Sequence, residues 1–548
     1  MNWSEAVYTD TSAGALTAAD FELTIAGGTA TLGSATPTSI SVSGTAVTLG
    51  VSISGTANGS ETLTVNPASG TAIYDANDNA AADPQSNNTA TLTEKVVPTI
   101  SSVSLNAANN ALTVTFSEAV YDTNGGTGDL EAADFAFSIS GGTATLGSAT
   151  PSSISKTSTS IWVLGVNISG TANGSETLTV NPASGTAIFD ASANNAAASQ
   201  SNNTATLTEK VVPTITGTTV AANNSTIAVT FSEAVYDTDG GNGALEAADF
   251  ALSISGGTAT VAATPSSISS SGNVYTLGLT LTGTPDGSET LTVVPASGTS
   301  IYDASGNAAS TTQSNNTVSL NDQAGPTMTI TSSTVDSGST SNDGTIALTF
   351  TSNESTTNFI AGDVTVTNGS IGSLSGSGSV YTATLTPSGS GAVTIKVAGS
   401  TYTDSSGNDN SVSNTFTWTY DGTLATITGT TVAANNSTIT VAWSEAVYTD
   451  TSAGALTAAD FALSISGGTA TVAATPSSIS ISGTDITLGL NLTGTPNGSE
   501  TLTVNPASGT AIYDANDNAA AASQSNNTVS LNDKTAATIT GTTVAANN

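Results

Sequence analysis

Apolar residues alternate with small polar ones in short runs along the whole chain. Ile439, Val441 and Trp443 alternate with Thr438, Thr440 and Ala442; Phe461, Leu463 and Ile465 repeat the pattern, as do Ile486, Leu488, Leu490 and Leu492. A two-residue period sends successive side chains to opposite faces of a strand, so each run has one core face and one wetted face. Leu502 with Val504, Ile512 with Tyr513, and Val529 with Leu531 extend the set, which makes about seven strands between turns rich in Gly, Pro and Asn. The only helical candidate, Leu456–Phe461, is a single turn. Seven short strands around one core in roughly 110 residues require two packed sheets with Greek-key connections. The predicted fold is all-β.

The wetted faces are mostly threonine, which favours the strand backbone through its branched Cβ and keeps a hydroxyl for water. Pro67, Pro182, Pro295 and Pro506 end their strands by removing a donor. Asn58-Gly59, Asn173-Gly174, Asp286-Gly287 and Asn497-Gly498 suit tight turns that need positive φ. The acid closing each of these phrases, Glu61, Glu176, Glu289 or Glu500, reads as a solvated charge at a strand entrance.

The pattern recurs. Trp3-Ser4-Glu5-Ala6-Val7-Tyr8-Thr9-Asp10 returns almost letter for letter at Trp443–Asp450, with related copies near Phe116 and Phe231, so the chain is a tandem array. Opening strands at Pro98, Pro213, Pro326 and Thr426 predict modules at 1–97, 98–212, 213–324, 325–424 and 425–537, with a tail at 538–548. The fourth module is shorter and more divergent, and the fifth nearly repeats the first. Phrases such as Thr208-Glu209-Lys210-Val211-Val212-Pro213 run from one module's last strand into the next module's first. Linkers this short predict an elongated, stiff rod.

Composition narrows the chemistry. The net charge is -36, from 41 acids against 5 basic residues, which excludes nucleic acid as a partner. There is no histidine and no cysteine; the usual general base, zinc ligands and disulfides are therefore missing, and the chain reads as a non-enzyme. No apolar run approaches the roughly 18 residues of a membrane span.

The acids are short of partners, and two patterns point to a hard cation. The first is a loop: Asp237, Asp239 and Asp249 stand around glycines in the third module and Asp122, Asn124 and Asp134 in the second, while Asp20 and Asp460 remain in the shorter loops of the first and fifth. Calcium takes six to eight oxygens from a tightly curled chain. The second pattern pairs the acid ending a strand, Glu5, Glu118, Glu233 or Glu445, with the acid of a late loop, Asp75, Asp190, Asp303 (with Asn307) or Asp514; the fourth module keeps Glu354, Asp363, Asp404 and Asn408. Loops far apart in sequence meet at one end of a sandwich, and carboxylates gathered there repel unless a cation joins them. Calcium between neighbouring modules is one reading. The other is that each late-loop Asp caps its own turn while the Glu is solvated.

Phe231-Ser232-Glu233-Ala234-Val235-Tyr236-Asp237, Leu277–Gly283 and Ser300–Asn307 resemble the Ig-like or cadherin-like repeats of large bacterial surface proteins and adhesins, including SwmB-like repeats. The resemblance covers modules one, two, three and five, and Asp404–Asn408 links module four to related bacterial Ig-like repeats. It implies tandem Ig-like sandwiches, calcium between domains, an extracellular or cell-surface location, and a role as stalk, surface layer or fibre. An adhesin segment that binds a surface or glycan is the alternative.

The tail repeats the opening strand of module five, with Thr538, Ile539, Thr540 and Val544 matching Thr426, Ile427, Thr428 and Val432, while only Met1 and Asn2 precede Trp3. Two explanations stand: a covalent continuation of a longer array, or a strand donated head-to-tail to the first module of another copy.

Overall fold

The second module shows the architecture most completely, in a computed structural model that describes residues 1–545. Its strands are β1 (Ile100–Leu105), β2 (Ala111–Phe116), β3 (Phe135–Ser140), β4 (Thr145–Leu146), β5 (Ile154–Ser158), β6 (Ile161–Gly165), β7 (Ile168–Ser169), β8 (Thr177–Pro182) and β9 (Thr204–Thr206). One sheet has the order β1-β2-β6-β5 and the other β3-β8-β9, with β4-β7 a small ribbon beside them. All pairs are antiparallel, with Leu112 opposite Leu164 and Phe137 opposite Val180. The chain leaves the first sheet after β2, returns for β5 and β6, and crosses again for β8 and β9. The result is a two-sheet sandwich, and the apolar phase of every strand fills it: Leu112, Val114, Phe116, Phe135, Trp162, Leu164, Leu178 and Val180 form one buried cluster.

Among the described residues there are four further cores, from Leu16 to Ile73, Ile215 to Leu320, Met328 to Trp418, and Ala425 to Leu531. The same nine-strand pattern recurs in the third and fifth modules. The fourth differs: its strands at Ile346–Thr356 and Ser375–Pro387 are long, and its sheets have four strands each. Thr340–Ser341 there pairs in parallel with the Phe416–Tyr420 strand.

The cores compensate in size. Where β2 ends in Phe116, β6 supplies Trp162; the corresponding pairs are Phe231 with Tyr275, Trp443 with Ile486, and Trp3 with Val47. Phe231 and Tyr275 meet edge to face at 5.8 Å. A Trp at the first position goes with Ile or Val at the second and a Phe with Trp or Tyr, so the larger ring at one position goes with the smaller residue at the other.

Two local expectations are adjusted. The run Ile486–Leu492 is not one strand: pairing stops at Gly489 and resumes at Leu492–Thr493 in the small ribbon. Gly489 lies against the loop before it, where a Cβ would fall 2.4 Å from Ser478 Oγ. The single turn near Leu456 is a 3-10 helix at Ala458–Asp460, present in every module.

The first module is open on one side. Leu23, Val47, Leu49, Leu63 and Val65 line a cleft with Met1, and Trp3 is only half-buried. In the fifth module the equivalent face is covered by the Ile427–Val432 strand, which pairs with Thr438–Trp443. Residues 538–545 have the matching sequence but are exposed and form no strand; Ile539 and Val544 are 86% and 92% exposed. The rest of the tail, 546–548, lies outside the described residues.

Candidate metal centres

Each late-loop Asp is held by its own loop. Asp190 Oδ1 accepts the backbone N–H of Ser192 and Asn194, both at 2.8 Å, and Oδ2 accepts Asn194 Nδ2 at 2.8 Å. Asp75, Asp303, Asp404 and Asp514 repeat the arrangement with Asn79, Asn307, Asn408 and Asn518. These are Asx turns; Asp190, Asp303, Asp404 and Asp514 are buried in them, with one carboxylate edge left to a neighbouring segment.

The strand-end Glu comes to meet that edge. Carboxylate oxygens of Glu118 and Asp190 lie within 4.8 Å of each other and of Glu94; Glu354 and Asp404 meet Asp322 in the same way, and Glu445 and Asp514 meet Asp421. Glu94, Asp322 and Asp421 each come from the segment preceding the module that supplies the other two. At the fourth such place, Asn307 Nδ2 bridges Asp303 Oδ2 at 2.7 Å and Glu209 Oε2 at 2.5 Å, beside Glu233. Asn194 likewise bridges Asp190 to Glu94 at 2.5 Å, and Asn518 donates to the Asp421 carbonyl at 3.0 Å. In the first module Glu5 and Asp75 line an open cleft with Asn79 and Gln85.

Charge is unbalanced in these clusters. Burial, then the charges of Asp190 and Glu94, push the Glu118 carboxyl up to about 7. Burial followed by neighbouring acids also raises Glu233, Glu354 and Glu445. Glu354 Oε1 is buried without a hydrogen-bond partner. Lys95 and Lys210, which directly follow Glu94 and Glu209, are exposed, and the one ion pair among the described residues is Lys156 with Asp129. Three oxygen ligands from separate segments, with no nitrogen or sulfur among them, fit a hard divalent cation such as calcium.

The third acid of each cluster, Glu94, Asp322 or Asp421, belongs to neither acidic pattern read from the sequence. Its signal is positional: Glu94, Glu209 and Asp322 each fall three residues after a module's last strand. Asp363, grouped by sequence with Glu354 and Asp404, instead accepts the Ile360 N–H at 2.9 Å; Asp322 occupies the place expected for it.

The loop acids do other work. Asp134, Asp249, Asp20 and Asp460 accept the backbone N–H of Glu131, Glu246, Thr17 and Thr457 and so start their 3-10 turns. Asp20 and Asp460 also receive the hydroxyls of Thr9 and Thr449. In modules two and three those threonines are replaced by Asp122 and Asp237; burial, and to a lesser degree the charges of those neighbours, raise Asp134 and Asp249. Asn124 and Asp239 are exposed.

One reading is corrected outright. Glu61, Glu176, Glu289 and Glu500 are not solvated but fully buried. The Glu176 Oε1 accepts N–H groups from Thr143 at 2.8 Å and Ala144 at 2.9 Å, and Oε2 accepts Asn173 at 3.1 Å. Amide donors in a Gly-Gly turn thus satisfy a charge that sequence alone sends to water.

Residues 322–420 match the family model described as a bacterial Ig-like domain. The match covers the fourth module and the segment leading into it. The sandwiches around it have an Ig-like, all-β fold and stand in tandem. Among solved structures, invasin, a bacterial integrin-binding protein, is similar at 17% identity over 75% of this chain and 76% of its own, with a TM-score of 0.25. The S-layer protein SbsC is similar at 17% identity over 75% of this chain and 53% of its own, with a TM-score of 0.19; a structure of its domains 4–9 is 13% identical over 96% of this chain and 75% of its own, with a TM-score of 0.15. No curated protein sequence matches the chain. Among the described residues no helix is long and apolar enough to cross a membrane.

Proposed function

We propose that this chain is a structural segment of a bacterial surface protein, a non-catalytic stalk or filament outside the cell whose Ig-like modules, divided at 1–97, 98–212, 213–324, 325–424 and 425–537, are locked into a rod by calcium. The observation that carries the reading is the repeated straddling of a boundary by one acid from the preceding segment and two from the following module. A cation there ties two modules at a fixed angle and relieves the repulsion that raises each strand-end Glu. In a chain of net charge -36, calcium also lowers the repulsion between modules. Removing calcium with excess chelator should lower the melting temperature and shorten the maximum dimension measured by small-angle X-ray scattering; unchanged values of both would refute the calcium role.

Self-association is a second part of the proposal. The open face of the first module matches the face that Ile427–Val432 covers in the fifth, and residues 538–545 carry that strand's sequence. The tail then supplies the missing strand of such a face, either on the first module of another copy or on a module that continues the same polypeptide. Deleting 538–548 should abolish concentration-dependent fibres seen by electron microscopy; fibres of undiminished number and length would reject donation. The alternative role, an adhesin segment for a surface or glycan, would draw on exposed aromatic side chains. Trp162, Trp418 and Trp443 are spent in cores.

A further inference from the structure

The cluster of Asp322, Glu354 and Asp404 differs from the others on its inner side. Two positions before the strand-end acid, the other modules place a core aromatic: Trp3, Phe116, Phe231 or Trp443. Here the residue is Ser352. The register makes the positions equivalent, because Met328 pairs with Ser352 as Ile215 pairs with Phe231. Two positions before the late-loop Asp, the others place an isoleucine, and here the residue is Tyr402. An aromatic and an isoleucine have thus become a serine and a tyrosine beneath one cluster only.

Both are buried, Ser352 at 4% exposure and Tyr402 at 1%. Ser352 Oγ lies beside the Tyr402 hydroxyl, but neither makes a hydrogen bond of full geometry, and Glu354 Oε1 is buried without a partner as well. Alternation along each segment puts Ser352 under Glu354 and Tyr402 under Asp404. The neighbouring Tyr381 hydroxyl is satisfied by the Thr356 carbonyl at 2.9 Å, so an orphaned hydroxyl is not a general property of this core. Phenylalanine would supply the same ring packing of Tyr402 on Phe359, whose centroids are 5.1 Å apart. Two buried hydroxyls and the unpaired Glu354 oxygen beside them call for a shared partner.

We propose that Ser352 and Tyr402 form the inner wall of a divalent-cation site, where they hold a water that completes the shell of a calcium ion bound by Asp322, Glu354 and Asp404. This rests on the reading of the clusters as calcium sites and adds that they are not alike. The other clusters stand over an aromatic ring and an isoleucine with no hydroxyl between them, whereas this one has two hydroxyls already in place. It is therefore the tightest site in the chain.

The test is calorimetric titration of the full chain with calcium chloride, for wild type, Tyr402→Phe and Ser352→Ala. Tyr402→Phe should weaken the tightest binding class by about 10- to 100-fold, leave the weaker classes unchanged, and melt no lower than wild type in chelator. Ser352→Ala should act in the same direction. Calcium affinity unchanged in Tyr402→Phe, while Glu354→Gln abolishes the tightest class, would overturn the inner wall and leave the calcium reading intact. A Tyr402→Phe protein that melts lower in chelator would also overturn it, by making the hydroxyl structural. No binding of calcium by wild type would sink the underlying reading as well.

Discussion

Gly142→Ala is expected to lower the melting transition of the second module by roughly 10 °C or more. Gly142 has φ +55°, where an L-residue costs about 1–2 kcal/mol. A Cβ added there would fall 2.1 Å from Glu176 Cδ, so the carboxylate must leave its nest. The N–H groups of Thr143, Ala144 and Asn173 then lose their acceptor inside the fold. Glu176→Gln should cost less, because an amide keeps one acceptor oxygen while turning an NH2 toward donors. Acid separates the two variants. Burial opposes ionisation of Glu176, but the Ala144, Thr143 and Asn173 donors outweigh it and hold the carboxyl at about 2. A folded pKa below the unfolded one stabilises above the unfolded value of 4.5, and that contribution is lost as the pH falls toward 2. The gap between wild type and Glu176→Gln should therefore close across that window. Calorimetry with hydrogen exchange of peptides from 135–180 reads both effects; a Gly142→Ala protein as stable as wild type would show that the nest is not there.

The same nest marks where a sequence stops being legible. Alternation located the strands and their core faces because a side-chain period of two leaves little choice once one face is buried. Trp443, Phe461 and Leu488 needed no further information, and the Asx turns at Asp190 and Asp303 follow from local geometry. Glu176 was misread because its partners are backbone amides from a turn more than thirty residues away, which no side-chain pattern announces. The clusters were half legible. Glu118 and Asp190 could be paired through the logic of sandwich ends, whereas Glu94 belongs to the preceding segment and reads as a linker charge. Asp363 stands with Glu354 and Asp404 in the sequence as a third acid, yet a 3-10 turn claims it. What remained hidden depended on which segments the fold brings together.

Stripped of divalent cations, the chain is expected to lose stability as the pH rises from about 4.5 to about 7, and calcium is expected to remove that dependence. Burial, Asp190 and Glu94 hold Glu118 near 7 in the folded protein against an ordinary 4.5. Between those values the folded state binds more protons than the unfolded one, so raising the pH favours unfolding. Glu233, Glu354 and Glu445 shift in the same direction and add to the slope. All four are partly open to solvent, so screening by water and salt tempers the effect. Calcium binding needs the carboxylate form, so at pH 6 it must expel close to one proton from Glu118, and its affinity should rise by up to about tenfold per pH unit below 7. Titrations in two buffers of different ionisation enthalpy count the protons released. Glu118→Gln should remove that cluster's share of the release and weaken calcium there by about 10- to 100-fold. Heats that do not depend on the buffer at pH 6, together with melting in chelator that stays flat from 4.5 to 7, would mean these glutamates are ordinary surface acids. The modules would then be joined by short linkers alone.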